Sequence, residues 1–175
     1  MRTKLYIFII SSVLVWSNLS AEEKKTSVKD LSNTDLKFYT GTFDWLDVEG
    51  DERTSLFGIE HKDSRLYRNT FLGKFAPITG GFITAKNSIY MYTGIEAQYK
   101  LGPINITPSF APGFYEKGNG KDLGLPLEFK SEISLGFGLF EDAKVGYSYS
   151  HISNNTWGET NPGTDNQAIS FSTKF

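Results

Sequence analysis

Apolar and polar residues alternate along eight segments of this 175-residue chain, and this period of two most constrains its fold. In residues 125–140 the odd positions are mostly Leu, Phe and Ile, whereas Glu, Lys and Ser occupy even positions. Because successive side chains of a strand point to opposite faces, each segment has one apolar and one polar face. The alternation and the turn residues between segments predict eight strands: 36–46, 53–62, 71–84, 88–101, 104–116, 125–140, 143–153 and 165–175.

The length and number of these strands favour a barrel in a membrane. Several exceed the roughly 9–11 residues that a spanning strand needs, and eight is an even number, as in bacterial single-chain barrels. The last predicted strand ends in Phe175, as outer-membrane barrels commonly do. We therefore expect an all-β protein, an eight-stranded antiparallel transmembrane β-barrel of the outer membrane. A soluble, lipocalin-like eight-stranded barrel is the alternative.

The N-terminus has the three-part plan of a secretory signal. Two basic residues precede an apolar run from Leu5 to Trp16, and a short polar stretch then leads to Ala21 and a charged segment. The run is shorter than the roughly 20 residues of a spanning helix. The predicted organisation is a cleaved signal peptide at 1–21, a polar linker at 22–35 and a barrel domain at 36–175, exported to a Gram-negative outer membrane.

The charged residues of the strands fall on the polar face. A narrow eight-stranded barrel fills its lumen with side chains, so we expect a hydrogen-bonded polar interior rather than an open pore. A net charge of −2 argues against a nucleic-acid partner, and the absence of cysteine excludes thiolate chemistry. The predicted lumen charges are Glu60, Glu96, Glu128, Lys130 and Glu132.

The same alternation places three polar residues on the apolar, lipid-facing side. His151 and Ser153 occupy odd positions of strand 143–153, and Asp165 occupies an odd position of the next strand. One loop joins the two strands, so antiparallel pairing brings all three residues to one rim of the barrel. Such a cluster fits either a Ser-His-acid site or ordinary polar residues at a membrane interface.

The C-terminal motif resembles a known family. HISN followed by NPGTD, and then a short alternating strand ending in Phe, is similar to the lipid A 3-O-deacylase family of outer-membrane barrels. The similarity extends over roughly residues 36–175. It implies a hydrolase of lipid A, the membrane anchor of lipopolysaccharide, with His151 as general base, Ser153 as nucleophile and Asp165 orienting the histidine. This chemistry requires no metal and no cofactor.

The resemblance also covers the loop after the serine. Asn154 follows Ser153 as in the family, and Asn161 matches a loop asparagine of the family. The resemblance implies both as candidates for binding the oxyanion or the substrate. Two departures are present. Asp165 stands where the family has glutamate, one methylene longer, and Asn155-Thr156 stands where the family usually has Ala-Gly.

Two other functions remain open from the sequence. The barrel could be a non-catalytic envelope or adhesion protein, or it could transfer an acyl chain to lipid A instead of releasing one. The sequence also leaves open whether the barrel is a monomer or a homodimer.

Overall fold

The computed structural model describes residues 34–47 and 51–174, and nearly all of this part is β structure. The predicted signal peptide, most of the predicted linker and Phe175 lie outside the described residues. Within the described ranges, no helix is long and apolar enough to cross a bilayer. The strands are β1 (Thr34–Phe43), β2 (Thr54–Asp63), β3 (Arg68–Thr70), β4 (Gly73–Thr84), β5 (Ile89–Leu101), β6 (Ile104–Glu116), β7 (Leu127–Phe140), β8 (Ala143–Ser153) and β9 (Thr164–Lys174).

These strands form one closed antiparallel sheet. Each long strand pairs with its neighbour along the chain, and β1 closes the ring by pairing with β9. The short β3 continues the line of β2 along β4 after a 3₁₀ turn at Ser64–Leu66, so both pair with β4. Because β2 and β3 occupy the same position beside β4, the barrel wall consists of eight strands. This confirms the predicted eight-stranded antiparallel β-barrel.

The two ends of the barrel differ in their connections. At one end, two-residue turns at 102–103 and 141–142 join neighbouring strands. At the other end, longer segments at 117–126 and 154–163 connect the strands. Outer-membrane barrels have short periplasmic turns and long extracellular loops, so the end that carries 154–163 is extracellular. His151 and Asp165 lie at this end.

The outer wall is apolar and the lumen is polar or aromatic, as the alternation predicts. On β5, Met91 is 62% exposed whereas its neighbours Tyr90 and Tyr92 are buried. On β7, Ile133 is exposed whereas Glu128 and Lys130 are buried. An exposed apolar belt is stable only against lipid. Other outward apolar residues include Phe38, Phe57, Ile59, Ile95, Phe110, Leu135, Phe137, Ile169 and Phe171.

The lumen contains a network of paired charges. Lys37 Nζ lies 2.6 Å from Glu60 and 3.2 Å from Glu132, and Lys130 Nζ lies 3.1 Å from Glu132. Lys62 bridges Asp35 and Glu96 nearer the periplasmic end. All five predicted lumen charges are inside the barrel. Glu128 differs from the others, because neither of its carboxylate oxygens has a hydrogen-bond partner among the described residues.

Lys130→Met is expected to destabilise the barrel by about 3–5 kcal/mol, because it leaves buried carboxylates short of a counter-charge. Lys130 is 2% exposed and sits between Glu132, Glu60 and the ring of Tyr92. Urea unfolding in lipid vesicles measures the change. Lys117→Met is the control, since the Lys117–Asp122 pair is exposed and its loss should leave stability unchanged. Equal effects of the two substitutions would contradict a stabilising lumen network.

Candidate active site

His151 and Asp165 form a hydrogen-bonded pair on the outer wall. They are direct partners in the register of β8 and β9, so their side chains project from the same face. His151 Nδ1 lies 2.9 Å from Asp165 Oδ1, and the two side chains are 48% and 25% exposed. The pairing leaves Nε2 as the ring nitrogen that can exchange a proton with a substrate or a nucleophile.

Ser153 is the last residue of β8 and lies on the same wall. Its register partner is Phe129, whose side chain faces outward on β7. Residues i and i+2 of a strand are roughly 6.6 Å apart along the chain, so Ser153 and His151 are neighbours on one face. No hydrogen bond joins Ser153 Oγ to His151 within the described part of the chain. The register therefore places Ser153, His151 and Asp165 on one face of the sheet, without a hydrogen bond between Ser153 and His151.

A second hydroxyl flanks the histidine. Ser131 on β7 is the register partner of His151 on the side opposite Asp165, and it is exposed. Sequence reasoning placed Ser131 on the outer face but did not connect it with His151, because that requires the register of β7 against β8.

Tyr149 also contacts the acid. Its hydroxyl donates to Asp165 Oδ1, the same oxygen that bonds His151 Nδ1. Tyr149 precedes His151 by two residues on β8 and therefore shares its face. The sequence shows this position, but not that the ring leans toward Asp165 on the neighbouring strand.

The loop 154–163 is built around Asn154. Asn154 is fully buried, and its Nδ2 donates to the carbonyl oxygens of Leu123 at 2.9 Å and Thr160 at 2.8 Å. Its backbone N–H donates to Asn161 Oδ1 at 3.0 Å. The side-chain amide of Asn154 therefore connects the loop 154–163 to Leu123 and also bonds to Thr160 within the loop. Asn161 is exposed, and no acceptor for its amide nitrogen is found among the described residues.

The turn after Asn154 has an uncommon backbone. Asn155 and Thr156, the pair that departs from the family pattern, both have positive φ, +55° and +59°. Side chains other than glycine adopt this left-handed region at a cost of roughly 1–2 kcal/mol. Trp157 then donates its backbone N–H to Asn154 O at 3.1 Å. This tight turn positions the chain directly beyond Ser153.

The start of β9 is held from the loop between β1 and β2. Trp45 N–H donates to the carbonyl oxygen of Asp165 at 2.9 Å, and Asp44 N–H donates to Asn166 Oδ1 at 3.0 Å. Lys121 Nζ in turn lies 2.8 Å from the Asp44 carboxylate. These contacts tie the start of β9, which carries Asp165, to Asp44 and Trp45 and through Asp44 to Lys121.

Aromatic rings lie beside Ser153 on the outer wall. Phe129 stacks on Phe110 with a centroid distance of 6.0 Å, and the Trp157 ring meets Phe129 edge-on at 5.0 Å. Trp157 is 60% exposed. The result is an apolar surface that borders the polar cluster at the extracellular end of the barrel.

We expect Gly163→Ala to reduce the deacylase activity proposed below several-fold, because the added Cβ would push the His151 ring aside by a few tenths of an ångström. Gly163 has φ +61°, and a Cβ there would lie 3.1 Å from His151 Cε1 and 3.3 Å from Nε2. Gly102→Ala is the matched control, since φ is +59° and no atom lies within 4 Å. Both substitutions carry the same backbone cost, so equal losses of activity in the two variants would contradict a specific effect of Gly163→Ala on His151.

Closed topology, an apolar outer belt and long extracellular loops define the protein as an outer-membrane β-barrel. The family model described as lipid A 3-O-deacylase (PagL) matches residues 39–174, and the chain belongs to this family. Its members are hydrolases that act on lipid A. No curated protein matches the sequence.

Solved structures agree on the fold. The crystal structure of the outer membrane enzyme PagL is 14% identical, with a TM-score of 0.63, and the match covers 81% of this chain and 99% of that one. Neisserial surface protein A is 10% identical, with a TM-score of 0.51, covering 82% of this chain and 98% of that one. At these identities the matches establish the architecture alone. These structural matches do not support a homodimer.

Proposed function

We propose that this protein is an outer-membrane esterase that removes the 3-O-linked acyl chain from lipid A. Ser153 is the nucleophile, His151 the general base and Asp165 the residue that orients His151. The observation that carries the proposal is the Nδ1–Oδ1 contact between His151 and Asp165 on the outer wall, in a chain of a lipid A deacylase family.

The proposed reaction follows the Ser-His-acid scheme. Ser153 Oγ forms a bond to the ester carbonyl carbon while its proton passes to His151 Nε2. Collapse of the tetrahedral intermediate breaks the ester bond, and His151 returns the proton to the departing 3-hydroxyl of lipid A. Water then attacks the carbonyl carbon of the acyl-serine while His151 takes a proton from it. The bond between this carbon and Ser153 Oγ breaks as His151 returns the proton to Oγ, and the fatty acid leaves. The Ser–His hydrogen bond forms by rotation of the Ser153 side chain, in line with the long contacts common at unliganded sites.

The surroundings of the two serines favour Ser153 over Ser131. A developing oxyanion needs hydrogen-bond donors. Ser131 lies within β7, where the backbone N–H groups are engaged in the sheet. Ser153 borders the loop 154–163, which offers the Asn161 amide nitrogen and backbone N–H groups of the turn. We assign Asn161 as the oxyanion donor and Asn154 as the residue that holds the loop.

The position of the site suits a substrate that stays in the membrane. Lipid A occupies the outer leaflet, and the His–Asp pair projects from the wall at the extracellular end. The aromatic rings of Phe110, Phe129 and Trp157 give an acyl chain an apolar surface beside Ser153. The substrate can therefore reach the site sideways without leaving the bilayer. Export by a signal peptide at 1–21 completes the proposal.

Mass spectrometry of lipid A from cells with and without this protein tests the proposal. We expect lipid A to lose one 3-hydroxyacyl chain, with the matching free fatty acid released. Unchanged lipid A in cells that carry the folded barrel would support the non-catalytic alternative. A gained acyl chain would support an acyltransferase instead.

A further inference from the structure

We propose that Tyr149 is a positioning residue that holds Asp165 in the orientation needed to bind His151, an inference that rests on the proposed function. Its hydroxyl donates to Asp165 Oδ1, which is also 2.9 Å from His151 Nδ1. Two donors on different residues of β8 thus converge on one carboxylate oxygen of β9.

The contact is diagonal across the sheet. The direct partner of Tyr149 is Gln167, and Asp165 lies two residues before Gln167 on the same face. Diagonal neighbours are within reach of long aromatic side chains. The geometry repeats one step along the strands, where Tyr147 faces Ile169 and donates its hydroxyl to Gln167 Oε1 at 3.0 Å. Of these two tyrosines, Tyr149 contacts Asp165 and Tyr147 does not.

A second donor matters because aspartate has a short side chain with a freely turning carboxylate. With the imidazole as its one partner, the carboxylate can rotate toward water, since the Asp165 side chain is 25% exposed. Hydrogen bonds to a charged acceptor are roughly twice as strong as neutral ones. The Tyr149 hydroxyl therefore restricts the carboxylate to the orientation in which Oδ1 faces His151 Nδ1.

Restricting the carboxylate also restricts the imidazole. The Asp165 contact keeps the proton on Nδ1 and leaves Nε2 as the acceptor for the serine proton. Partners that orient a functional histidine in this way typically contribute roughly 10- to 100-fold to activity or affinity. Tyr149 acts through Asp165 and His151, and it takes no proton in the reaction.

Tyr149→Phe removes the hydroxyl and keeps the ring. Measured on purified protein in mixed micelles with lipid A, kcat should fall roughly 10- to 100-fold with KM unchanged, because substrate contacts are retained. Tyr147→Phe is the matched control and should leave kcat unchanged, since its hydroxyl donates to Gln167 and not to Asp165. Equal rates for Tyr149→Phe and the parent protein would overturn the inference.

Asp165→Glu supplies a second test within the same assay. The added methylene moves the carboxylate away from the Tyr149 hydroxyl, so Tyr149→Phe should have less effect in the Asp165→Glu protein than in the parent. A purely structural role for the tyrosine predicts the same fold-loss in both proteins. Such additivity would contradict the positioning role.

The tautomer of His151 gives a readout that is independent of turnover. Nitrogen NMR of the labelled barrel in micelles should show the Nδ1–H tautomer in the parent and in Tyr147→Phe, and a mixture of tautomers in Tyr149→Phe. His61→Gln assigns the signal, since the chain has two histidines. An unchanged tautomer in Tyr149→Phe contradicts the inference. An inactive parent with the expected tautomers contradicts the proposed deacylase function instead.

Discussion

We expect Ser153→Ala to lower the rate of 3-O-deacylation by roughly 10⁴-fold or more, because it removes the proposed nucleophile and with it the covalent pathway. Ser153 lies beside the loop 154–163, which carries the proposed oxyanion donors. Substitution by alanine removes only the Oγ of Ser153. The measurement is the release of 3-hydroxy fatty acid from lipid A by the purified barrel. The variant should keep the heat-dependent gel mobility of a folded barrel, since Ser153 Oγ makes no hydrogen bond among the described residues.

Ser131→Ala is the matched control for this experiment. Ser131 flanks His151 on β7 in direct register and is also exposed on the outer wall. The proposed mechanism predicts near-parental activity for Ser131→Ala. Loss of activity in Ser131→Ala, together with an active Ser153→Ala protein, would transfer the nucleophile to β7 and refute the assignment.

We expect His151→Ala to lower the same rate by a comparable factor, because a serine hydroxyl is a weak nucleophile without the proposed base. Residues that act as one unit are non-additive, so the His151→Ala/Ser153→Ala protein should be no slower than either single variant. The same fatty-acid release assay measures all three. Losses that multiply in the double variant would show that the two side chains act independently.

His61→Ala separates a specific requirement for His151 from a general effect of histidine removal. His61 lies near the periplasmic end of β2, opposite Thr79 of β4 and at the other end of the barrel from Asp165. We expect parental activity for this variant. A large loss of activity in His61→Ala would contradict a catalytic site confined to the extracellular end of the barrel.

The fold was accessible from the sequence because a barrel wall imposes its period on every strand. The predicted strand at 104–116 has the observed bounds, and that at 143–153 does as well. The first strand was predicted to continue to residue 46, but it ends at Phe43. Asp44 has φ +54°, and its backbone and carboxylate are bound by Asn166 and Lys121. These partners are distant in sequence, so no local pattern reveals them.

Only part of the candidate site could be predicted from the sequence. Alternation placed His151 and Asp165 on one face, and the connecting loop made their strands neighbours. A shift of two residues in register keeps every side chain on its face, so alternation alone could not fix which residues of the two strands pair directly. The Tyr149 contact and the neighbouring Ser131 depend on this register. The role of Asn154 in the loop depends on the carbonyl oxygens of Leu123 and Thr160, which only the folded loop brings together.

Reaction of the purified barrel with a long-chain alkyl fluorophosphonate tests the catalytic centre most directly. This reagent bonds covalently to a serine activated by a histidine, and peptide mass spectrometry locates the bond. We predict one adduct, on Ser153, formed slowly or not at all in His151→Ala. An adduct on another serine, or unmodified Ser153 in a barrel that releases fatty acid from lipid A, would contradict the proposed site.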